Sequence, residues 1–156
     1  MTTSQETASR FREIFLDGTW VANTNYKKEL EGTDWNLATA SYGSLNTVSV
    51  LAQHINYYLE GVLKVFQGGN LDISDKYSFD FAPVKSQKNW DDFLIRFFNN
   101  AEEFALQIES MSEDKLRGVF VDEKYGSIQR NIDGMIEHAY YHLGQIVILK
   151  KLSAGV

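Results

Sequence analysis

The dominant signal in this sequence is helical. Four stretches repeat apolar residues at three- and four-residue steps, from about Gln5 to Asp17, Ser44 to Gln67, Trp90 to Ser110 and Ser127 to Leu152. That spacing places the apolar side chains on one face of an amphipathic helix. No stretch shows the sustained alternation of a strong strand. The periodicity therefore predicts an all-α fold, specifically a four-helix bundle.

Two connections between the predicted helices are long, residues 19–43 and 68–88. Helix–helix loops in bundles usually have about 2–8 residues. We expect short helical turns in the first connection, around NYKKEL and DWNLATA, and we expect either connection to cover an end of the bundle. With 156 residues, the chain is expected to form one domain, residues 1–156.

The expected helix ends follow from capping signals. Thr3 with Glu6 fits a capping box for the first helix, and Gly18 fits its end. Asn89 fits the N-cap of the third helix.

Charge and composition exclude several classes of function. Asp and Glu outnumber Lys and Arg by 21 to 15, with no basic cluster, so nucleic acid is not an expected partner. The chain has no cysteine, which excludes a disulfide, a thiolate metal ligand and a cysteine nucleophile. No signal-peptide pattern and no membrane-spanning apolar run is visible, so we expect a cytoplasmic protein without a membrane partner.

Histidine is the residue type that suggests chemistry. The chain has three histidines, His54 in the second predicted helix and His138 with His142 in the fourth. Residues four apart share a helix face with Cβ atoms roughly 5–6 Å apart. Two imidazoles at that spacing can converge on one divalent metal ion. The spacing is also common by chance, and nothing in it brings His54 to the other two.

Counting 100° per residue places all three histidines at the border between core and surface. The stripe that carries His138 and His142 also carries Asn131 and Gln145, which can orient a ligand or play a structural part. Tyr58 follows His54 by one turn and either lines a pocket or fills the core. Gly61 lies further along the same stripe and can leave room for a ligand. The alternative for the histidines is an ordinary half-buried side chain bonded to a carbonyl.

Several catalytic motifs are excluded. Ala139 stands where the HExxH motif of zinc peptidases needs glutamate. The sequence supports no Ser–His–Asp or Cys–His arrangement and contains no GxxxxGK phosphate loop.

The segment HAYYHLGQIVILKK, together with the upstream histidine in LAQHINYYLEGVL, resembles the DinB-like superfamily. The pattern HxxxHxGQI in the last helix is its most specific part, and the order of elements agrees over nearly the whole chain. The segments NLDISDKYSFDFAPV and FVDEKYGS look like an uncharacterised bacterial subgroup of that superfamily.

The resemblance implies a four-helix bundle whose divalent metal, usually zinc or nickel, is held by His54, His138 and His142. It also implies a metal-dependent hydrolase or thiol transferase that acts on an unknown small molecule, with a low-molecular-weight thiol as a partner. The alternative function is a non-catalytic module that binds a metal or a small ligand.

The outer face of the last helix suggests a further contact. Gly144 falls there with Glu137, Tyr141 and Ile148, and glycine inside a helix costs about 1 kcal/mol relative to alanine. We expect either a homodimer contact or cover from the first long connection, with plain exposure of the face as the alternative.

Overall fold

The computed structural model describes residues 1–155, and within them the protein is all-helical. The α-helices are α1 (Thr3–Arg12), α2 (Tyr26–Glu31), α3 (Trp35–Ala38), α4 (Val48–Phe66), α5 (Gln87–Glu109), α6 (Glu113–Arg117) and α7 (Ile128–Ser153). A π-helical turn, Glu13–Asp17, prolongs α1, and single 3-10 turns lie at Asp75–Tyr77 and Glu123–Tyr125. These residues contain one isolated β-bridge, between Val119 and Ser127, and no strand. The all-α prediction is confirmed.

The two long connections are built differently. The first contains the short helices α2 and α3, at the two segments where helical turns were predicted. The second is almost entirely irregular, with only the 3-10 turn Asp75–Tyr77 in it. We call residues 70–84 of this connection the strap.

Gly18 ends the first helix as predicted, since it is the C-cap of the π-helical turn that prolongs α1, but the two N-caps differ from the predicted ones. The α1 capping box begins one residue earlier, because Thr2 accepts from the Gln5 amide (3.3 Å) while Gln5 Oε1 accepts from the Thr2 amide (3.0 Å). The α5 cap is Ser86, which accepts from the amide of Asn89 at 3.1 Å. In both cases another polar residue upstream fulfils the capping role, and the predicted cap becomes part of the first turn.

The four longest helices enclose one apolar core. α1 packs against α5 and α7, and α4 packs against the same two helices. The largest fully buried aromatic side chains are Trp90, Tyr26, Phe11, Phe15, Phe97 and Phe104. The polar atoms of the first two are bonded, since Trp90 Nε1 donates to Thr33 O (2.7 Å) and the Tyr26 hydroxyl to Ala139 O (2.7 Å). None of the described helices is long and apolar enough to cross a membrane.

The strap is tied to the outer side of α4. The Tyr57 hydroxyl accepts from the Ser74 amide (2.9 Å) and donates to the Ser74 carbonyl (3.0 Å). Gln53 Nε2 donates to the carbonyl of Ala82 at 2.9 Å. These bonds hold the middle and the end of the strap against one helix.

Gly61 allows this close approach. A Cβ at position 61 would overlap the side chain of Ile73, so the space that was predicted for a ligand is filled by the strap. That prediction was wrong because the sequence pattern of α4 does not reveal what packs over it.

Replacing Gly61 with alanine should therefore destabilise the protein. We expect a loss of about 1–3 kcal/mol, as is typical when extra atoms are forced into a packed contact. Gly144→Ala is the matched control, because a Cβ there would meet nothing within 4 Å among residues 1–155 beyond its chain neighbours and the nearby backbone of α7. The control should gain up to about 1 kcal/mol from helix propensity. Urea denaturation would measure both, and equal stability of the two variants would contradict the role of Gly61.

Candidate metal centre

The facing surfaces of α4 and α7 bring the three histidines together. His138 Nε2 lies 2.8 Å from His142 Nε2 and 3.4 Å from His54 Nε2. His138 and His142 are adjacent because one helical turn separates them, and His54 reaches them from α4. These three side chains lie close enough to bind a metal ion.

Two of the three rings are held from behind by oxygen atoms. His54 Nδ1 donates to the backbone carbonyl of Ser78 (3.0 Å), and His142 Nδ1 donates to Gln145 Oε1 (2.5 Å). Because both oxygens act as acceptors, each neutral ring carries its proton on Nδ1 and presents an unprotonated Nε2. Such bonds are the usual outer partners of metal-ligating histidines.

The meeting point of the Nε2 atoms suits a cation. When all three rings are neutral, the Nε2 atoms of His54 and His142 are unprotonated, because these two rings carry their protons on Nδ1. Only His138 can then carry a proton on Nε2. Three Nε2 atoms bound tetrahedrally to zinc at about 2.0–2.1 Å would lie roughly 3.3 Å apart. The distance from His54 to His138 already matches that value, and the distance from His138 to His142 would need to grow slightly.

The histidines are more buried than a border position suggests. His54 is 5 % and His142 is 7 % exposed, and His138 is half-buried. Burial lowers the pKa of His138 from 6.5 to about 4, and the neighbouring His142 and His54 lower it as well. Burial also lowers the pKa of His142, although its bond to Gln145 opposes the shift. Both rings are therefore neutral at pH 7, as metal ligands must be.

The strap covers one side of the centre. Phe79 stacks on the His54 ring, with centroids 4.1 Å apart and planes 7° apart. Tyr58 lies edge-on to His54 and to His138, at 5.2 and 5.4 Å between centroids, and its hydroxyl donates to Asp75 Oδ1 at 2.8 Å. The long connection after α4 thus supplies both the acceptor behind His54 and its apolar cover.

A cavity of about 430 Å³ opens beside His138. It is lined by residues of α4, of α7 and of the segment before α7, including Tyr58 and Asn131. Both were predicted as pocket residues, and the structure places them in the wall of the cavity that His138 also lines. Asn131 uses its Nδ2 on the carbonyls of Tyr125 and Ser127, each at 2.8 Å, so it also closes the turn that precedes α7.

Sequence reasoning missed two contributors to the site. Ser78 acts through its backbone carbonyl, which every residue has, so its identity as serine did not indicate this role. Phe79 lies in a segment with no helical period, and neither residue gave a signal of proximity to His54.

The outer face of α7 has no cover at Gly144. Apart from its chain neighbours and the nearby backbone of α7, no atom of residues 1–155 lies within 4 Å of a Cβ at that position, so the predicted cover from the first connection was wrong there. Tyr141 and Ile148 on the same face are 66 % and 59 % exposed.

Fold and site together define an all-helical protein with a buried three-histidine cluster that is able to bind a metal ion. Comparisons with protein-family models, curated proteins and solved structures give no match to this chain. The function must therefore be argued from the site itself.

Proposed function

We propose that this protein is a metal-dependent enzyme in which His54, His138 and His142 bind one zinc or nickel ion. Its chemistry is that of a hydrolase or thiol transferase acting on a small molecule. The observation that carries the proposal is the convergence of three Nε2 atoms, two of them directed by hydrogen bonds at Nδ1. For His54 and His142 these bonds fix both the direction of the ring and the position of its proton, as outer partners of metal ligands do.

The donor set favours a catalytic over a closed structural centre. An ion held by three neutral imidazoles keeps its full positive charge and an open position, where it can stabilise a thiolate or promote the ionisation of water. Structural zinc sites usually have four protein ligands, often cysteines, and this chain contains no cysteine. The thiol in a transfer reaction would therefore come from a small molecule.

The pattern of elements supports a DinB-like four-helix bundle. α1 with its π-helical turn, α4, α5 and α7 form the four long elements, and long connections follow the first and second of them. The candidate ligands fall on the second and fourth long helices, as the resemblance implies. The proposal places this chain in the DinB-like superfamily on those grounds.

The alternative is a module that binds a metal without catalysis. A closed centre, with side chains packed on every side of the ion, would favour that role. The cavity beside His138 favours an enzyme, because it leaves about 430 Å³ for a substrate next to the candidate ligands.

Turnover tests the enzyme proposal. Wild-type protein loaded with zinc or nickel would be assayed with a panel of low-molecular-weight thiols and an electrophilic acceptor, and with simple ester and amide substrates. We expect turnover that His138→Ala abolishes. Stoichiometric metal without any turnover that depends on His138 would contradict the enzyme and favour the module.

A homodimer remains part of the proposal. The exposed Tyr141 and Ile148, with the bare backbone at Gly144 between them, offer a surface that a second copy can approach closely.

A further inference from the structure

Part of the wall of the cavity beside His138 is formed by a glycine, which has no side chain. Gly134 lies one helical turn before His138 and lines the cavity. Within residues 1–155, and apart from its chain neighbours and the nearby backbone of α7, the only atom within 4 Å of a Cβ at position 134 is Arg130 Nη1, at 3.7 Å. Glycine here leaves open a space that any larger residue would fill.

One cation lines this cavity. The Arg130 side chain extends along α7 over Gly134, and its Nη1 lies 3.1 Å from Glu137 Oε2 near the middle of the helix. Arg130 and Glu137 are 61 % and 62 % exposed, and such surface pairs are worth only about 0–1 kcal/mol. A guanidinium has five N–H donors, so most of them stay available to another acceptor.

The charges near the cavity differ between its two sides, which determines where an anionic group of a ligand would bind. Asp75 lies on the side of α4, where it accepts from the Tyr58 hydroxyl. A ligand carboxylate would be repelled there, whereas on the side of α7 it would meet the N–H donors of Arg130 that Glu137 does not use. The guanidinium fork matches a carboxylate in two parallel hydrogen bonds.

A second groove next to the centre lacks these features. It is a largely apolar space of about 320 Å³ near Leu51 and Ile148, and it meets the centre only through Gln145. No histidine lines it. The two cavities share no lining residue, and of the two only the one over Gly134 is lined by a candidate ligand.

We propose that the cavity over Gly134 binds a small molecule that carries a carboxylate, with Arg130 holding the carboxylate and the metal-binding group directed to His138. This inference rests on the proposed metal centre and adds a substrate class to it. Arg130 Nη1 lies 3.7 Å from a Cβ built at Gly134, and Gly134 precedes His138 by about one helical turn, which rises 5.4 Å. A ligand with two or three carbon atoms between its thiol and its carboxylate has the order of length needed to reach from the cluster to the guanidinium over that turn.

The test compares 3-mercaptopropionate with 3-mercaptopropan-1-ol, which has the same thiol and chain length but no charge. Each would be titrated calorimetrically into protein shown to contain one zinc per chain. We expect the carboxylate probe to bind roughly tenfold more tightly, as a charge-assisted hydrogen bond allows. Arg130→Gln should remove that preference and leave the affinity for the neutral thiol unchanged.

Two glycine variants provide the steric test. Gly134→Leu should weaken binding of both probes at least tenfold without loss of zinc. Gly144→Leu places the same side chain on the same helix, outside the cavity, and should change neither affinity.

The outcomes separate this inference from the function on which it rests. Equal affinity for the two probes, or a preference that survives Arg130→Gln, overturns the carboxylate site and leaves the metal centre standing. Protein that contains zinc but binds neither probe also overturns the carboxylate site and leaves the metal centre standing. Protein that takes up no zinc overturns the metal centre and the inference together.

Discussion

Replacing His142 with alanine should abolish stoichiometric zinc binding. The wild-type protein, purified without a histidine tag or chelator, is expected to contain about one zinc or nickel per chain or to take it up when it is added. The variant loses one of three ligands, and the two that remain lie on different helices. We expect its affinity to fall by more than about a hundredfold, which exceeds the usual effect of an outer partner.

A graded series makes this result specific. Gln145→Ala removes the acceptor behind His142 Nδ1 and should cost about 10–100-fold in affinity, because the ring loses its fixed tautomer and orientation. Glu137→Gln is the control on the same helix. Its carboxylate is bonded to Arg130 and makes no contact with a histidine, so its affinity should equal that of the wild type.

The ordering of these variants matters more than any one value. Metal content by mass spectrometry and competition with a chromophoric chelator would give the four affinities. If His142→Ala and Glu137→Gln behaved alike, the histidines would be ordinary buried side chains. A wild type that binds neither zinc nor nickel would remove the basis of the enzyme proposal.

The helices were predictable because their signal is local. Periodicity located all four long helices, and the short helices α2 and α3 were expected where they occur. The cap residues were less predictable, since several polar residues near each start can accept the same bonds. At α5, for example, Ser86 takes the cap position and Asn89 donates to it.

The residues of the candidate site could be predicted from the sequence, but their arrangement in space could not. The spacing of His138 and His142 fixes their proximity, whereas the position of His54 depends on how α4 packs against α7. The role of the strap could not be predicted from the sequence, because it consists of the hydrogen bond to the Ser78 carbonyl and the stacking of Phe79 on His54. Gly61 shows the same limit, since its role is visible only with Ile73 in place.

Phe104→Ala should cause the largest loss of stability among simple substitutions. The Phe104 ring is fully buried in α5 and stacks on Phe11 of α1, with centroids 4.6 Å apart. It also contacts Phe66 of α4, at 5.1 Å between centroids. One side chain thus joins three of the four long helices, and its truncation leaves a cavity among them. We expect a cost of about 3–5 kcal/mol.

Leu106→Ala is the matched control for this substitution. Leu106 lies two residues further along α5 and is 51 % exposed, so its loss should change the free energy of unfolding by about 0.5 kcal/mol or less. Guanidinium denaturation of the metal-free proteins would measure both. Similar midpoints for the two variants would contradict the assignment of Phe104 to the centre of the core.

Zinc should restore part of the stability that Phe104→Ala loses. A ligand that binds only the folded protein stabilises it by about 2.7 kcal/mol at a concentration of 100 Kd. Phe104 makes its aromatic contacts with α1 and α4 residues outside the histidine cluster, so the folded variant should bind zinc as the wild type does. Adding His142→Ala to Phe104→Ala should remove the rescue. Rescue that persists without His142 would mean that zinc binds elsewhere, and the cluster would lose its role.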